Sequence, residues 1–159
     1  MDICCRHDPQ LLTKTEIINV CPGCNKRFGN DYQDATTISL LVILAKYDFF
    51  SFPDYHGEST SIQDACPTRG EENIHNAIRA LLQKMNITLI EPKNTRTKST
   101  CCGASFHGEI STDKVIEQMK KREDEMPVEN VGVYCIACIK SIYNGGKKPR
   151  YLIDLLFNI

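Results

Sequence analysis

A C-x-x-C follows a short apolar run at two places in the chain, in "EIINVCPGCNKRF" (Glu16 to Phe28) and in "NVGVYCIACIKSI" (Asn130 to Ile142). An adjacent cysteine pair lies upstream of each, Cys4-Cys5 and Cys101-Cys102, and an apolar stretch lies downstream, "TTISLLVILAKY" and "PRYLIDLLF". The order of pair, strand, C-x-x-C and apolar helix therefore occurs twice and reads as an internal repeat. A strand that runs into a helix at each C-x-x-C predicts an α/β fold, with a mainly parallel sheet flanked by helices.

The second copy carries more around it. "SIQDA" reads as a short strand leading to Cys66, and "ENIHNAIRALLQKM" places Ile74, Ile78, Leu81, Leu82 and Met85 on one helical face. "ITLIE" reads as a further strand ahead of Cys101-Cys102, and "STDKVIEQMKKREDEM" as a charged amphipathic helix with Ser111 or Thr112 as N-cap. Within it, "KKREDE" (Lys120 to Glu125) reads as a solvated face of mixed charge. The expected organisation is a shortened first module over residues 1–50 and a complete second module over 51–159, packed as one globular unit.

Nine cysteines in 159 residues is high usage, but the number is odd and "MDICCRHDPQ" is not an export segment. A disulfide scaffold is the weaker reading, and a cytoplasmic protein is expected, in which clustered thiols bind metal or do redox chemistry. The longest apolar run, "ISLLVILA", has eight residues, too few to cross a bilayer. Net charge is −1, and the basic clusters are short and scattered, so nothing points to a nucleic-acid partner.

One C-x-x-C serves either a metal or a dithiol. Adjacent cysteines bridge poorly to each other, because the short ring is strained, but can give thiolates to neighbouring irons of one cluster. Cys66, Cys101, Cys102, Cys135 and Cys138 offer five thiolates, one more than a tetrahedral zinc or a cubane cluster requires. In open parallel sheets sites form at the carboxyl ends of strands, where Cys66, Cys101 and Cys135 are expected to converge.

Cys66 in "QDACP", 34 intervening residues, the Cys101-Cys102 pair with Gly103 after it, and a C-x-x-C at Cys135 that 32 residues separate from Cys102 together resemble the cysteine-rich CCG domain of heterodisulfide reductases. Related modules occur in succinate:quinone reductases, glycolate oxidase iron–sulfur components and lactate-utilisation proteins. The resemblance covers Glu16 to the C-terminus and is most specific from Cys66 to Cys138. It implies that these five cysteines hold a 4Fe-4S cluster of noncubane type, at which a disulfide or related two-electron acceptor is processed. It also implies two CCG-type modules, the first shortened.

The sequence departs from the family in three respects, the first being that the 32 residues between Cys102 and Cys135 are on the short side of the family's habit. "QDAC" stands where "HDPC" is often found, and the first copy has no cysteine before Cys4, with only 15 residues between Cys5 and Cys21. The chain is expected to be naturally shortened or to begin inside a longer reading frame. Cys4, Cys5, Cys21 and Cys24 then form a separate set that is empty or holds zinc or iron. His107, five residues beyond Cys102, is a candidate proton donor, weighed against an ordinary loop histidine.

The chain has no G-x-G-x-x-G of a flavin or nicotinamide site, so electrons are expected from a separate redox partner protein of flavin or ferredoxin type, with a small disulfide or thiol as substrate. Two other readings stay open: a zinc-binding structural or interaction module, and a metal-free dithiol oxidoreductase.

Overall fold

A computed structural model describes residues 14–48, 50–106 and 108–159. Its elements in chain order are β1 (Glu16–Asn19), α1 (Pro22–Asp31), β2 (Thr36–Ser39), α2 (Leu40–Lys46), β3 (Ser59–Gln63), α3 (Glu72–Lys84), β4 (Thr88–Leu89), α4 (Thr112–Glu123), β5 (Asn130–Val133), α5 (Ile136–Gly145), β6 (Lys148–Tyr151) and α6 (Leu152–Phe157). Three short 3-10 turns, Cys66–Thr68, Arg96–Lys98 and Ala104–Phe106, lie in the connections. The fold is α/β, and every strand pairing among the described residues is parallel: β1 with β2 in one sheet, and β4-β3-β5-β6 in the other.

Strand, ten-residue helix opening on a C-x-x-C, parallel strand and short helix appear in that order twice, as β1-α1-β2-α2 and as β5-α5-β6-α6. This corrects the expectation of a continuous helix in both downstream stretches. Thr36–Ser39 and Lys148–Tyr151 are strands, and the helix begins only at Leu40 and at Leu152. β-branched Thr36, Thr37 and Ile38 favour the pleated ladder against β1. Pro149 would break a helix interior but is tolerated in β6, which is an edge strand. The strand expected over "ITLIE" is limited to Thr88–Leu89.

β3 and β5 are buried on both faces, as parallel strands covered by helices must be. Ile62, Val131 and Val133 meet Ile74, Ile78, Leu81 and Leu82 of α3 and Ile142 of α5 in one core. Leu41 and Leu44 bring α2 into the same core, where it lies against α3. Arg122 and Glu123, expected on a solvated face, are instead 0% and 2% exposed. Arg122 is drawn inward by a hydrogen bond from its Nε to Gln63 Oε1 at 2.6 Å.

Sheet order fixes where a site can form. From β3 the chain crosses to β4 on one side, then returns to β5 on the other side and continues outward to β6. The order therefore reverses between β3 and β5. A crevice opens outside the carboxyl ends of two strands at such a point, because their connections leave in opposite directions. Cys66 follows β3 and Cys135 follows β5.

Candidate functional site

Six sulfurs line one cavity of about 190 Å³ at this reversal point: Cys21, Cys66, Cys101, Cys102, Cys135 and Cys138. Most of the remaining wall is small or apolar, including Gly23, Pro67, Ala104, Ile136 and Ala137. Cys102, Cys135 and Cys138 are buried, while Cys21, Cys66 and Cys101 are partly exposed and form the open side.

Each cysteine is delivered by a different piece of local structure. Cys21 and Cys135 are the N-cap residues of α1 and α5, and neither uses its side chain to cap. Cys138 lies one turn into α5, and Cys66 opens the 3-10 turn after β3. Cys101 and Cys102 lie within the long connection between β4 and α4. Gly103 follows them at φ +94°, in the left-handed region, with an added Cβ only 3.1 Å from Met119 Cγ. Glycine is thus required there both by conformation and by space.

The thiols form a continuous chain of interactions running Cys66, Cys101, Cys102, Cys138, Cys135, Cys21. Cys102 Sγ and Cys138 Sγ are 3.3 Å apart. So many sulfurs in contact oppose one another's ionisation, and they shift in opposite directions. Hydrogen bonds from Cys102 and Cys66 hold Cys101 well below the usual thiol range. Hydrogen bonds from Cys138 and Cys21 bring Cys135 down to about 3. The donors move the other way: Cys101 pushes Cys102 up to about 11 and also raises Cys66, Cys135 raises Cys21, and Cys102 raises Cys138.

Backbone N–H groups supply further positive potential. Gly103 N–H donates to Cys101 Sγ at 3.4 Å, and Ala104 N–H to Cys102. Those of Ala137 and Cys138 serve Cys135, and those of Gly23 and Ile136 serve Cys21. Helix N-termini favour anionic sulfur for the same reason that they favour any anion. The Ser105 hydroxyl lies 3.4 Å from Cys101 Sγ, and the Arg69 charge acts on Cys66.

Behind the cavity, buried polar groups fix the connection that presents Cys101 and Cys102. Gln63 Nε2 donates to Thr100 O at 3.2 Å, and Ser99 Oγ donates to Asp64 O at 2.9 Å. Asp64 is clamped by Arg79, whose Nη1 and Nη2 donate to its two oxygens at 2.7 and 2.8 Å, and by Arg96 N–H at 2.6 Å. Gln63 and Asp64 stand in the "QDAC" segment that departs from the family pattern, and here they anchor the cysteine loop.

All five cysteines expected from the second copy line this cavity. Cys21 from the first copy lines it as well, which the spacing did not predict; the signal was present in its position after β1, matching that of Cys135 after β5. Cys24 is not among the lining residues. Cys4, Cys5 and His107 lie outside the described residues. Among the described residues, no three or more His, Cys, Asp or Glu side chains are grouped to hold a single metal ion. No helix among them is long and apolar enough to cross a membrane. No protein-family model, curated protein or solved structure matches this chain, so the likeness to the CCG family rests on the cysteine pattern.

Proposed function

We propose that the chain is an iron–sulfur redox protein of CCG type, in which Cys66, Cys101, Cys102, Cys135 and Cys138 hold a multi-iron cluster. The observation that carries this reading is the convergence of these five sulfurs on one cavity at the strand-order reversal, although Cys66 and Cys138 are far apart in sequence.

The donor set fits a cluster better than a single ion. Tetrahedral zinc with sulfur at about 2.3 Å separates its ligands by about 3.8 Å and uses four of them. Here at least five cysteines line one wall, and the sulfurs of two of them, Cys102 and Cys138, are 3.3 Å apart. Several irons would satisfy sulfurs spread in this way.

When bound, such a cluster accepts and returns electrons at a potential set by sulfur hydrogen bonding and solvent exposure. The protein's own contribution is positional. The N–H groups of Gly103, Ala104, Ala137 and Cys138 stabilise anionic sulfur. Pro67, Ile136 and Ala137 keep the wall dry. Partly exposed Cys66 and Cys101 leave the site open to a small disulfide or thiol or to an electron partner. In this reading the protein works in the cytoplasm as an oxidoreductase component and takes its electrons from a flavin- or ferredoxin-type partner.

The test is iron, acid-labile sulfide and zinc per chain, with an absorption spectrum, on protein produced and purified without oxygen. About four irons and four sulfides with a brown chromophore, lost in Cys101→Ser, are expected. A colourless protein with about one zinc and no sulfide would overturn the reading in favour of a structural zinc module.

A further inference from the structure

We propose that Cys21 is a sixth ligand of this centre, contributed by the N-terminal unit, and that Cys24 is not a ligand. The inference rests on the cluster reading above and adds to it that the centre joins the two sheets of the molecule.

Three observations converge on Cys21. Its sulfur lines the same cavity and interacts directly with that of Cys135. It receives backbone N–H groups from two elements, Gly23 at the start of α1 and Ile136 at the start of α5, the same kind of donor set that serves the other cavity sulfurs. The third concerns packing. Of the ten residues of α1 only Pro22, at its first position, is buried, so apolar burial holds little of the helix beyond that one residue. A bond from Cys21 to the centre would reinforce this single anchor.

The two C-x-x-C segments are therefore unequal. Cys135 and Cys138 both line the cavity, whereas in the first segment only Cys21 does. The first C-x-x-C accordingly belongs to the main centre through one sulfur, and does not build a second metal site of its own from Cys21 and Cys24 together.

Wild type, Cys21→Ser and Cys24→Ser are loaded anaerobically with ferrous iron and sulfide, then compared by iron content, absorption and electron paramagnetic resonance. Serine is a preferred N-cap, so Cys21→Ser is expected to fold. Cys24→Ser should match wild type in content and spectra. Cys21→Ser should show a shifted spectrum or a loss of iron. Hydrogen exchange over residues 22–31, slowed in wild type by loading, should stay at the metal-free rate in Cys21→Ser. A Cys21→Ser protein with wild-type iron, spectra and exchange would overturn the proposal while leaving the five-cysteine cluster standing. Equal spectral changes in Cys21→Ser and Cys24→Ser would also overturn it. Wild type that takes up neither iron nor sulfide would overturn both readings together.

Discussion

The Arg122 guanidinium donates from Nε to Gln63 Oε1 at 2.6 Å, and Gln63 in turn donates to the carbonyl of Thr100, the residue before Cys101. Arg122 also reaches Asn94 O at 3.1 Å and Ser99 Oγ at 3.3 Å, and pairs with Glu125. One fully buried cation therefore ties α4 and β3 to both ends of the loop that delivers the cysteine pair. Removing it takes the Arg122 donors from Gln63 Oε1, Asn94 O and Ser99 Oγ. Arg122→Ala is expected to cost about 3–5 kcal/mol in denaturant unfolding. It should also make Cys101 alkylate faster in metal-free protein. An unchanged unfolding midpoint would show that the loop is held by other means.

Asp64 sits at 1% exposure with Arg79 across it. Burial pushes its carboxyl up, but the Arg79 guanidinium and the Arg96 N–H outweigh burial and hold it below the usual carboxylate range. A carboxyl whose folded value is depressed stabilises the fold fully above its unfolded value, near 3.8, and loses that contribution as pH falls toward the folded value. Glu91, also lowered by Arg79 once burial is outweighed, adds to the same acid slope. Unfolding free energy measured from pH 7 down to pH 3 should fall in wild type. Asp64→Asn should be less stable at pH 7, with a shallower acid slope. An equally steep slope in the variant would assign acid sensitivity elsewhere.

Much of the fold is legible in the sequence because it follows from periodicity and from the cysteines. Ile74, Ile78, Leu81 and Leu82 repeat at helical spacing and are at most 3% exposed. β1, β3 and β5 each precede a cysteine turn. β2 and β6 are hidden because each strand passes straight into its helix, at Ser39–Leu40 and Tyr151–Leu152, with no glycine or polar turn to mark the junction. Arg122 and Glu123 mislead for a different reason. Local charge says solvent, whereas the partner that draws Arg122 inward lies 59 residues away on β3. The approach of Cys21 to Cys135 likewise depends on how the two sheets meet, and spacing along the chain carries no information about that.

Glu123 is buried against α5, and neither carboxylate oxygen has a hydrogen-bond partner. A Cβ at Gly145 would collide with its side chain, so the helix backbone closes over it and leaves little room for water. Burial raises this carboxyl to about 7, with Arg122 and Lys147 pulling the other way and Asp124 adding to the rise. For an acid raised in the fold the native state keeps its proton between 4.5 and about 7 while the unfolded chain releases it. Stability therefore declines as pH rises through that window. Glu123→Gln keeps the shape without the charge, and should be more stable than wild type at pH 8 by on the order of 2 kcal/mol, yet nearly equal to it at pH 5. Parallel pH profiles for the two proteins would show that the Glu123 carboxyl is ionised in the fold at little cost.

Gly103 connects stability to the site. At φ +94° an L side chain costs about 1–2 kcal/mol in the left-handed region. The added methyl would also press on Met119 Cγ at 3.1 Å, against the face of α4 that backs the cysteine pair. Unless the Met119 side chain gives way, relief of that contact moves Gly103 and with it Cys102, whose sulfur lies 3.3 Å from that of Cys138. Gly103→Ala is therefore expected to lower the thermal midpoint of the metal-free protein modestly and to lower the iron retained per chain after anaerobic loading more strongly, since ligand placement is less forgiving than folding. Gly108, also at positive φ, has nothing within 4 Å of an added Cβ and serves as the control. Gly108→Ala should show a comparable conformational cost with iron content unchanged. Equal iron loss in both variants would mean that backbone strain alone governs occupancy, and that the fit of Gly103 against Met119 has no part in placing the thiols.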